Sequence, residues 1–140
     1  MRAVAVAALL TLSACVSVEA TETHAAPTCA LGAPRTVATL FFGRNIGQSL
    51  GVSEEQWRTF VDSEVTPRFG DGLTMYDAQG QWRDADTGAI VREPSKVLVL
   101  ILADPGADRA KIEAIAQAYK SQFQQQAVAV ALSQDCIAFQ

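Results

Sequence analysis

Three separate stretches of the chain carry side chains that could bind a ligand together. Arginine guanidinium groups form paired hydrogen bonds with carboxylates and phosphates, and a tryptophan ring offers a flat surface for stacking. A glutamate among them could orient one arginine. The sequence therefore predicts a site for a small anion or a protein partner, formed by Arg44, Asn45, Trp82, Arg83, Arg92 and Glu93. The alternative, a set of solvated charges on a hairpin, stays open because surface ion pairs are common and contribute little.

Catalytic groups of the usual kinds are scarce in this sequence. The single histidine, His24, falls in a predicted tether, so the domain has no histidine base or zinc ligand. Ser95 and Lys96 are neighbours, and neighbouring residues of a strand point to opposite faces. Four carboxylates suit helix surfaces or turns as well as catalysis: Glu64, Asp71, Asp77 and Asp84. We expect a non-enzymatic binding domain without metal or cofactor. The alternative is a hydrolase- or lyase-like enzyme that uses arginines and carboxylates at the same site.

The first 14 residues have the pattern of a bacterial signal peptide. Arg2 supplies a positive start, and an apolar run over residues 3–12 follows. That run is too short for a bilayer core, which needs about 20 residues. The sequence Leu12-Ser13-Ala14-Cys15 resembles the lipobox of bacterial lipoprotein precursors. It predicts cleavage before Cys15, lipidation of that cysteine and attachment to a membrane.

The residue after the predicted cleavage site indicates which membrane this is. Val16, and not aspartate, follows the cysteine. By the sorting rule for Gram-negative lipoproteins, this predicts the outer membrane, with the domain facing the periplasm. Residues 15–35 then form the lipidated cysteine and a flexible tether, and residues 36–140 form one domain. An ordinary secreted protein, cut after Ala20, is the alternative.

The remaining cysteines and the net charge narrow the possibilities further. Cys29 and Cys136 form an even pair in a compartment that permits disulfides, so we expect them to be bonded. Two unpaired buried thiols are the alternative. The net charge of −4 argues against a nucleic-acid partner, because such proteins need a basic patch to neutralise phosphates.

Six structural elements are predicted to position these residues. Ser53-Glu54-Glu55-Gln56 matches a capping box and begins a helix that Pro67 ends, and Asp104-Pro105 begins a second helix. Four strands are expected at residues 36–43, at 73–83 with a bulge or turn at Gly80, at 90–102, and at 127–139 with a break near Ser133. Residues 43–52 are expected to form a loop and residues 84–88 a turn. Pro94 suggests that the first half of the third strand projects beyond its neighbours.

The order of these elements predicts a ferredoxin-like α+β sandwich with βαββαβ topology. Its antiparallel sheet has the order 4-1-3-2, and both helices cover one face. In that topology the start of the first strand lies beside the end of the last, which is where Cys29 and Cys136 stand. The six candidate site residues gather at the opposite pole.

The second face of this sheet has no predicted cover. The first and third strands are apolar on both faces, with Val37 and Phe41 opposite Leu40 and Phe42. A large exposed apolar patch usually marks an interface. We therefore expect either a face-to-face homodimer or coverage by the tether or the hairpin.

Several motifs together resemble a known family, the uncharacterised bacterial family called domain of unknown function 3574. The resemblance covers about residues 39–139 and is carried by residues 40–44 (LFFGR), 64–69 (EVTPRF), 71–74 (DGLT), 80–83 (GQWR) and 92–96 (REPSK). It implies a small exported protein, often predicted to be a lipoprotein. It implies no activity, cofactor or catalytic residue.

Overall fold

A computed structural model describes residues 27–140, and the predicted signal peptide, Cys15 and His24 lie outside this range. The described chain forms one four-stranded antiparallel sheet with two helices on one face, which confirms the ferredoxin-like fold. The strands of the sheet are β1 (Ala33–Gly43), β4 (Thr74–Arg83), β5 (Ile90–Leu102) and β6 (Ala129–Ile137). They lie in the order β4-β5-β1-β6, as predicted. The helices are α1 (Glu54–Phe60) and α2 (Pro105–Phe123), and a short hairpin joins β2 (Asn45–Ile46) to β3 (Ser49–Leu50).

The first helix begins where the capping box predicted. The Ser53 hydroxyl accepts a hydrogen bond from the backbone N–H of Gln56, and the Gln56 side chain accepts one from the N–H of Ser53. After Phe60 the chain continues as a π-helical turn, Val61–Val65. The helical segment therefore ends just before Pro67, which cannot continue it.

The second helix also begins as expected. The Asp104 carboxylate accepts hydrogen bonds from the N–H groups of Gly106 and Ala107, and Pro105 occupies the first turn. Proline suits that position because its missing N–H would have no helical partner. The helix ends at Gln124, which adopts a left-handed conformation with φ of 53°.

An aromatic cluster fills the space between the sheet and the helices. Phe42 from β1 lies 4.7 Å from the ring centre of Tyr119 and 5.1 Å from that of Trp57, and Phe60 lies 5.1 Å from Tyr119. These rings are fully buried and meet at tilted or edge-to-face angles, the arrangement that aromatic pairs favour. The cluster fixes both helices on the same face of the sheet.

Two predictions about strand continuity were wrong. β4 contains no bulge or turn at Gly80, because its pairing with β5 continues in register from Thr74 to Arg83. β6 is not broken at Ser133, because β1 pairs with it continuously along its length. In both places the partner strand supplies hydrogen bonds that local residue preferences do not reveal.

Smaller differences concern the first strand and the loop that follows it. β1 begins at Ala33, inside the predicted tether, because residues 33–35 pair with the end of β6. The predicted loop at residues 43–52 contains the β2–β3 hairpin. Beyond the pairing of Gly43 with Ser95, β5 pairs with β4 alone. The half that contains Pro94 therefore projects beyond β1 as predicted, but it does not project beyond β4, which pairs with it as far as Ile90.

The disulfide between Cys29 and Cys136 is present, with the two Cα atoms 5.5 Å apart. It joins the chain just before β1 to the end of β6, and we call this end of the sheet the disulfide pole. The opposite end, where β1 ends and the β4–β5 turn projects, is the distal pole. Within residues 27–140, neither helix has the length and apolar character needed to span a membrane.

Candidate functional site: a groove on the open sheet face

A groove of about 520 Å³ lies on the sheet face that the helices leave uncovered, which we call the open face. It occupies the distal pole, between the projecting β4–β5 hairpin and the chain that follows α2. We call it the open-face groove. Its wall and floor include Phe41, Gly43, Asn45, Trp82, Glu93 and Ser95.

A carboxylate in this groove is held in a defined position. Glu93 Oε1 accepts a hydrogen bond of 2.8 Å from the Trp82 indole N–H, and Oε2 accepts one of 3.1 Å from the backbone N–H of Asn45. The carboxylate lies against Gly43, where an added Cβ atom would come within 2.6 Å of Oε1. Only glycine therefore lets the glutamate take this position.

A second glycine permits a second close approach. A Cβ atom on Gly80 would lie 2.7 Å from the Ser95 hydroxyl oxygen. A glycine within a strand often marks a point where another group comes close. Gly43 and Gly80 thus give Glu93 and Ser95 room on the sheet surface between β1, β5 and β4.

Aromatic rings and amide groups complete the groove. Trp82 and Phe41 both expose part of their rings on the open face. The Gln125 side chain donates hydrogen bonds to the carbonyl oxygens of Asn45, at 2.7 Å, and Phe123, at 3.1 Å. These bonds tie the end of α2 to the chain after β1, so the two sides of the groove are joined.

The charges that line the groove are negative. Of the described residues in its lining, only Asp84 and Glu93 carry a charge. Asp84 belongs to the predicted turn at residues 84–88 and accepts hydrogen bonds from the backbone N–H groups of Thr87 and Asp86. These bonds, chiefly that of Thr87, lower the pKa of Asp84. The groove therefore suits a ligand that offers positive charge or hydrogen-bond donors.

The six candidate residues divide between the two faces of the sheet. Asn45, Trp82 and Glu93 line the open-face groove. Arg44 is buried on the helix side, where its Nε atom donates to the Val52 carbonyl and its terminal nitrogen contacts Glu54 at 2.6 Å.

The other two arginines are also outside the groove. Arg83 donates to the carbonyl oxygen of Gly88 at 2.8 Å, within the β4–β5 turn. Arg92 follows the alternation of β5 and lies on the face opposite Glu93. The structure thus does not bring the three arginines together around one ligand position, and Glu93 bonds to Trp82 and Asn45 where we expected an arginine.

A separate group of charges supports the helix side of the same pole. Glu54 at the start of α1 contacts Arg44 and also accepts a 2.8 Å hydrogen bond from Lys96. Lys96 also contacts Asp77 on β4. The hydrogen bond from Lys96 is the largest influence that lowers the pKa of Glu54. Because these charges neutralise one another, the group joins α1 to the sheet and leaves no free charge for a ligand.

Sequence reasoning missed several groove residues. The sequence predicts a loop at residues 43–52 and a bulge or turn at Gly80, whereas Gly43 and Gly80 both belong to strands and allow close contacts. A signal was present for Gly80, because a glycine within a strand often indicates such contacts. Gln125 had no signal, since only the fold brings it to Asn45. Among residues 27–140, no group of three His, Cys, Asp or Glu side chains could hold a metal ion.

Comparison with known proteins gives a family and a fold. The model of the family described as "Protein of unknown function (DUF3574)" matches residues 37–139. No curated protein matches the sequence. A phage SAM lyase in complex with S-methyl-5'-thioadenosine is 20% identical, with a TM-score of 0.62 over 74% of this chain and 83% of the lyase. The same lyase in its apo state gives a TM-score of 0.59 over 77% and 86%. CutA from Synechococcus elongatus is 13% identical, with a TM-score of 0.48 over 76% and 80%.

Proposed function

We propose that this chain, which belongs to the family of proteins of unknown function DUF3574, is a membrane-anchored envelope lipoprotein that binds a small molecule in the open-face groove. One observation carries the proposal. Glu93 is fixed by two neutral donors in a groove whose lining contains no described cation, so its negative charge is available to a ligand. The function is binding, and we infer a ligand with a positive charge or several N–H donors.

The size and the walls of the groove support a small organic ligand. A volume of about 520 Å³ falls within the range of about 300–1,000 Å³ found for small-molecule sites. Trp82 and Phe41 can contact a flat or apolar part, and an aromatic face also attracts a cation. An anion would have to approach two carboxylates, because the three arginines that suggested an anion lie elsewhere. The geometry thus favours a cationic ligand over the small anion that the sequence suggested.

The test compares two compounds that differ in charge. SAM carries a positively charged sulfonium group, and S-methyl-5'-thioadenosine has the same nucleoside but lacks both that charge and the zwitterionic amino-acid chain. The Glu93→Gln variant therefore assigns the preference to charge. The fold shared with the SAM lyase selects these probes, while the argument for a cation rests on Glu93. We expect SAM to bind the full-length protein about tenfold or more tightly than the neutral compound, because opposite charges about 4 Å apart attract by about 4 kcal/mol near a protein surface and desolvation offsets part of this attraction. Isothermal titration calorimetry measures both affinities.

Matched variants connect this preference to one carboxylate. Glu93→Gln keeps the shape and removes the charge, so it should abolish the preference for SAM. Glu55→Gln removes a carboxylate from the surface of α1, outside the groove, and should leave the preference unchanged. Inorganic phosphate tests the anion alternative. Binding of phosphate alone, or equal binding of SAM by the native protein and Glu93→Gln, would contradict the proposal. Consumption of SAM by the native protein would favour the enzyme alternative.

The envelope location is supported by the cysteines. The chain contains three cysteines, and two of them form the Cys29–Cys136 disulfide, which is typical of an oxidising compartment. Cys15 is then left for the lipid. We propose that the protein is anchored through lipid on Cys15 to the outer membrane and faces the periplasm. Mass spectrometry of the native protein should find an acylated Cys15 as the first residue. An unmodified N-terminus at a later residue contradicts the anchor.

A further inference from the structure

The two edges of the sheet differ in how well they are protected. Edge strands expose unpaired N–H and C=O groups, and proteins usually block them with charges, proline or bulges. β4 carries Asp77 and Arg83 and also contains Gly80. The first six residues of β6, Ala129–Gln134, contain no charge, glycine or proline, and the only charged residue of the strand is Asp135. β6 is thus the edge on which another strand can pair.

A largely apolar groove runs beside this edge on the helix side, and no other part of residues 27–140 covers it. It has a volume of about 860 Å³ and lies between α2 and β6. Its sheet side includes Val130 and Leu132, whose exposures of 43% and 64% are high for residues on the helix-covered face. Its helix side includes Ile112 and Ala116 together with the charged residues Arg109, Glu113 and Lys120. A strand added at the β6 edge would bury this apolar surface as well as satisfy the backbone groups.

We propose that the protein forms a homodimer in which β6 pairs antiparallel with β6 of a second copy. The two-fold axis passes beside Ala131 and is perpendicular to the sheet. Residues that face each other in a ladder share a sheet face, so Val130 lies opposite Leu132 of the partner copy, both on the helix side. Ala131 lies opposite Ala131 of the partner copy on the open face. The two sheets become one sheet of eight strands.

The second copy is the occupant that satisfies the chemistry of this strand. The apolar residues of β6 are self-complementary about Ala131, and this register places Asp135 opposite residue 127 and far from the Asp135 of the partner copy. Pairing of β6 with the charged β4 edge of another molecule would build an open-ended row of molecules. A two-fold contact closes after two copies. The two-fold contact requires no ligand in the open-face groove.

The size of the contact is sufficient for a dimer. In this register residues 127–135 of the two copies lie opposite each other, of which residues 129–133 belong to β6 in both copies. Nine residues in extended form are about 30 Å long, and the sheet with its helix layer is about 20 Å deep. Each copy would therefore contribute about 600 Å², or about 1,200 Å² in total, the lower end of the range for stable complexes. We expect dissociation in the micromolar range.

Cysteine cross-linking tests the register in the full-length protein. Opposite residues of antiparallel strands have Cα atoms about 4.5–5.5 Å apart, within the range of a disulfide. Ala131→Cys should therefore give a covalent dimer under mild oxidation. Ser133→Cys is the matched control, because the two copies of this residue would be about 13 Å apart along the strands and should not cross-link.

A charge in the interface tests the same contact by a second measurement. Sedimentation equilibrium in excess detergent should show a dimer of the native protein that Leu132→Glu weakens at least tenfold. Leu50→Glu, at a leucine that is 58% exposed on β3, should have no effect. A native protein that stays monomeric at high micromolar concentration overturns the proposal. A dimer that resists Leu132→Glu but is broken by Tyr76→Glu on the open face also overturns it.

Discussion

The two faces of the sheet differ in packing, although the same strands form both. Phe42 points toward the helices and is completely buried, while its neighbour Phe41 is 43% exposed on the open face. Leu98 and Leu100 are likewise buried on the helix side, whereas Ile101 is partly exposed on the other. The hydrophobic core thus lies on one face. The open face contributes less to stability and leaves apolar surface free to contact a ligand.

The two faces also differ in how they hold a carboxylate. On the helix side, Glu54 contacts the cationic groups of Arg44 and Lys96. On the open face, Glu93 receives hydrogen bonds from the neutral N–H groups of Trp82 and Asn45. The first arrangement neutralises its charge and the second only orients it. A carboxylate beside a cation therefore has a structural role, whereas a carboxylate held only by neutral donors remains available for binding.

One hydrogen bond connects the two faces. The Tyr119 hydroxyl, buried on the helix side, donates to the carbonyl oxygen of Gly43 at 2.8 Å. Burial raises the pKa of Tyr119, so the phenol keeps its proton at physiological pH. Gly43 lines the open-face groove on the other side. Packing around α2 thus fixes the backbone against which Glu93 lies.

The largest effect should come from truncating the two neighbouring phenylalanines. Phe42→Ala removes a ring that contacts Trp57, Phe60 and Tyr119, and we expect it to lower the free energy of unfolding by about 3–5 kcal/mol. Phe41→Ala should lower it by about 1 kcal/mol, since the ring is already partly in water. Urea denaturation followed by circular dichroism measures both. Equal losses would show that the open face is packed as tightly as the core.

A smaller effect is expected from the helix-side carboxylate. Glu54→Gln leaves the buried Arg44 without a carboxylate partner and Lys96 with Asp77 alone. It should lower stability by about 1–2 kcal/mol at pH 7, a modest loss because water screens the half-exposed Glu54. The folded state lowers the pKa of Glu54 below 4.5. Its contribution is therefore present above the unfolded value and is lost as the pH falls through the folded value.

The pH profile separates this ion-pair group from other carboxylates. Unfolding measured from pH 7 to pH 3 should show a weaker loss of stability on acidification in Glu54→Gln than in the native protein. Glu55→Gln, in the same helical turn, is the control and should retain the native profile. Identical acid profiles for all three proteins would mean that the Glu54 contacts do not stabilise the fold.

The smallest effect should come from the bond between the faces. Tyr119→Phe keeps the aromatic ring and removes the hydroxyl, so we expect a loss of about 1 kcal/mol in stability. We also expect the affinity for SAM to fall, because the Tyr119 hydroxyl no longer holds Gly43 against the Glu93 carboxylate. Calorimetric titration gives the affinity. Unchanged binding would show that the groove keeps its shape without this bond.

Much of the fold followed from local patterns in the sequence. The capping residues Ser53 and Asp104 marked where both helices begin, because a side-chain acceptor there satisfies backbone N–H groups that have no helical partner. The apolar positions of the strands gave the order of elements, and that order led to the sheet topology and the Cys29–Cys136 pair. The family resemblance was confirmed over residues 37–139.

The sequence by itself determined where helices and strands lie, since caps and apolar periodicity act over a few residues. Only the tertiary structure decided which polar groups meet. Trp82, Glu93 and Asn45 come together because β4 pairs with β5 and the chain turns after Gly43, while Arg92, next to Glu93 in sequence, faces the other way. Alternation along a strand separates neighbours, and pairing across the sheet joins distant residues, so a binding site depends on register that local patterns do not encode.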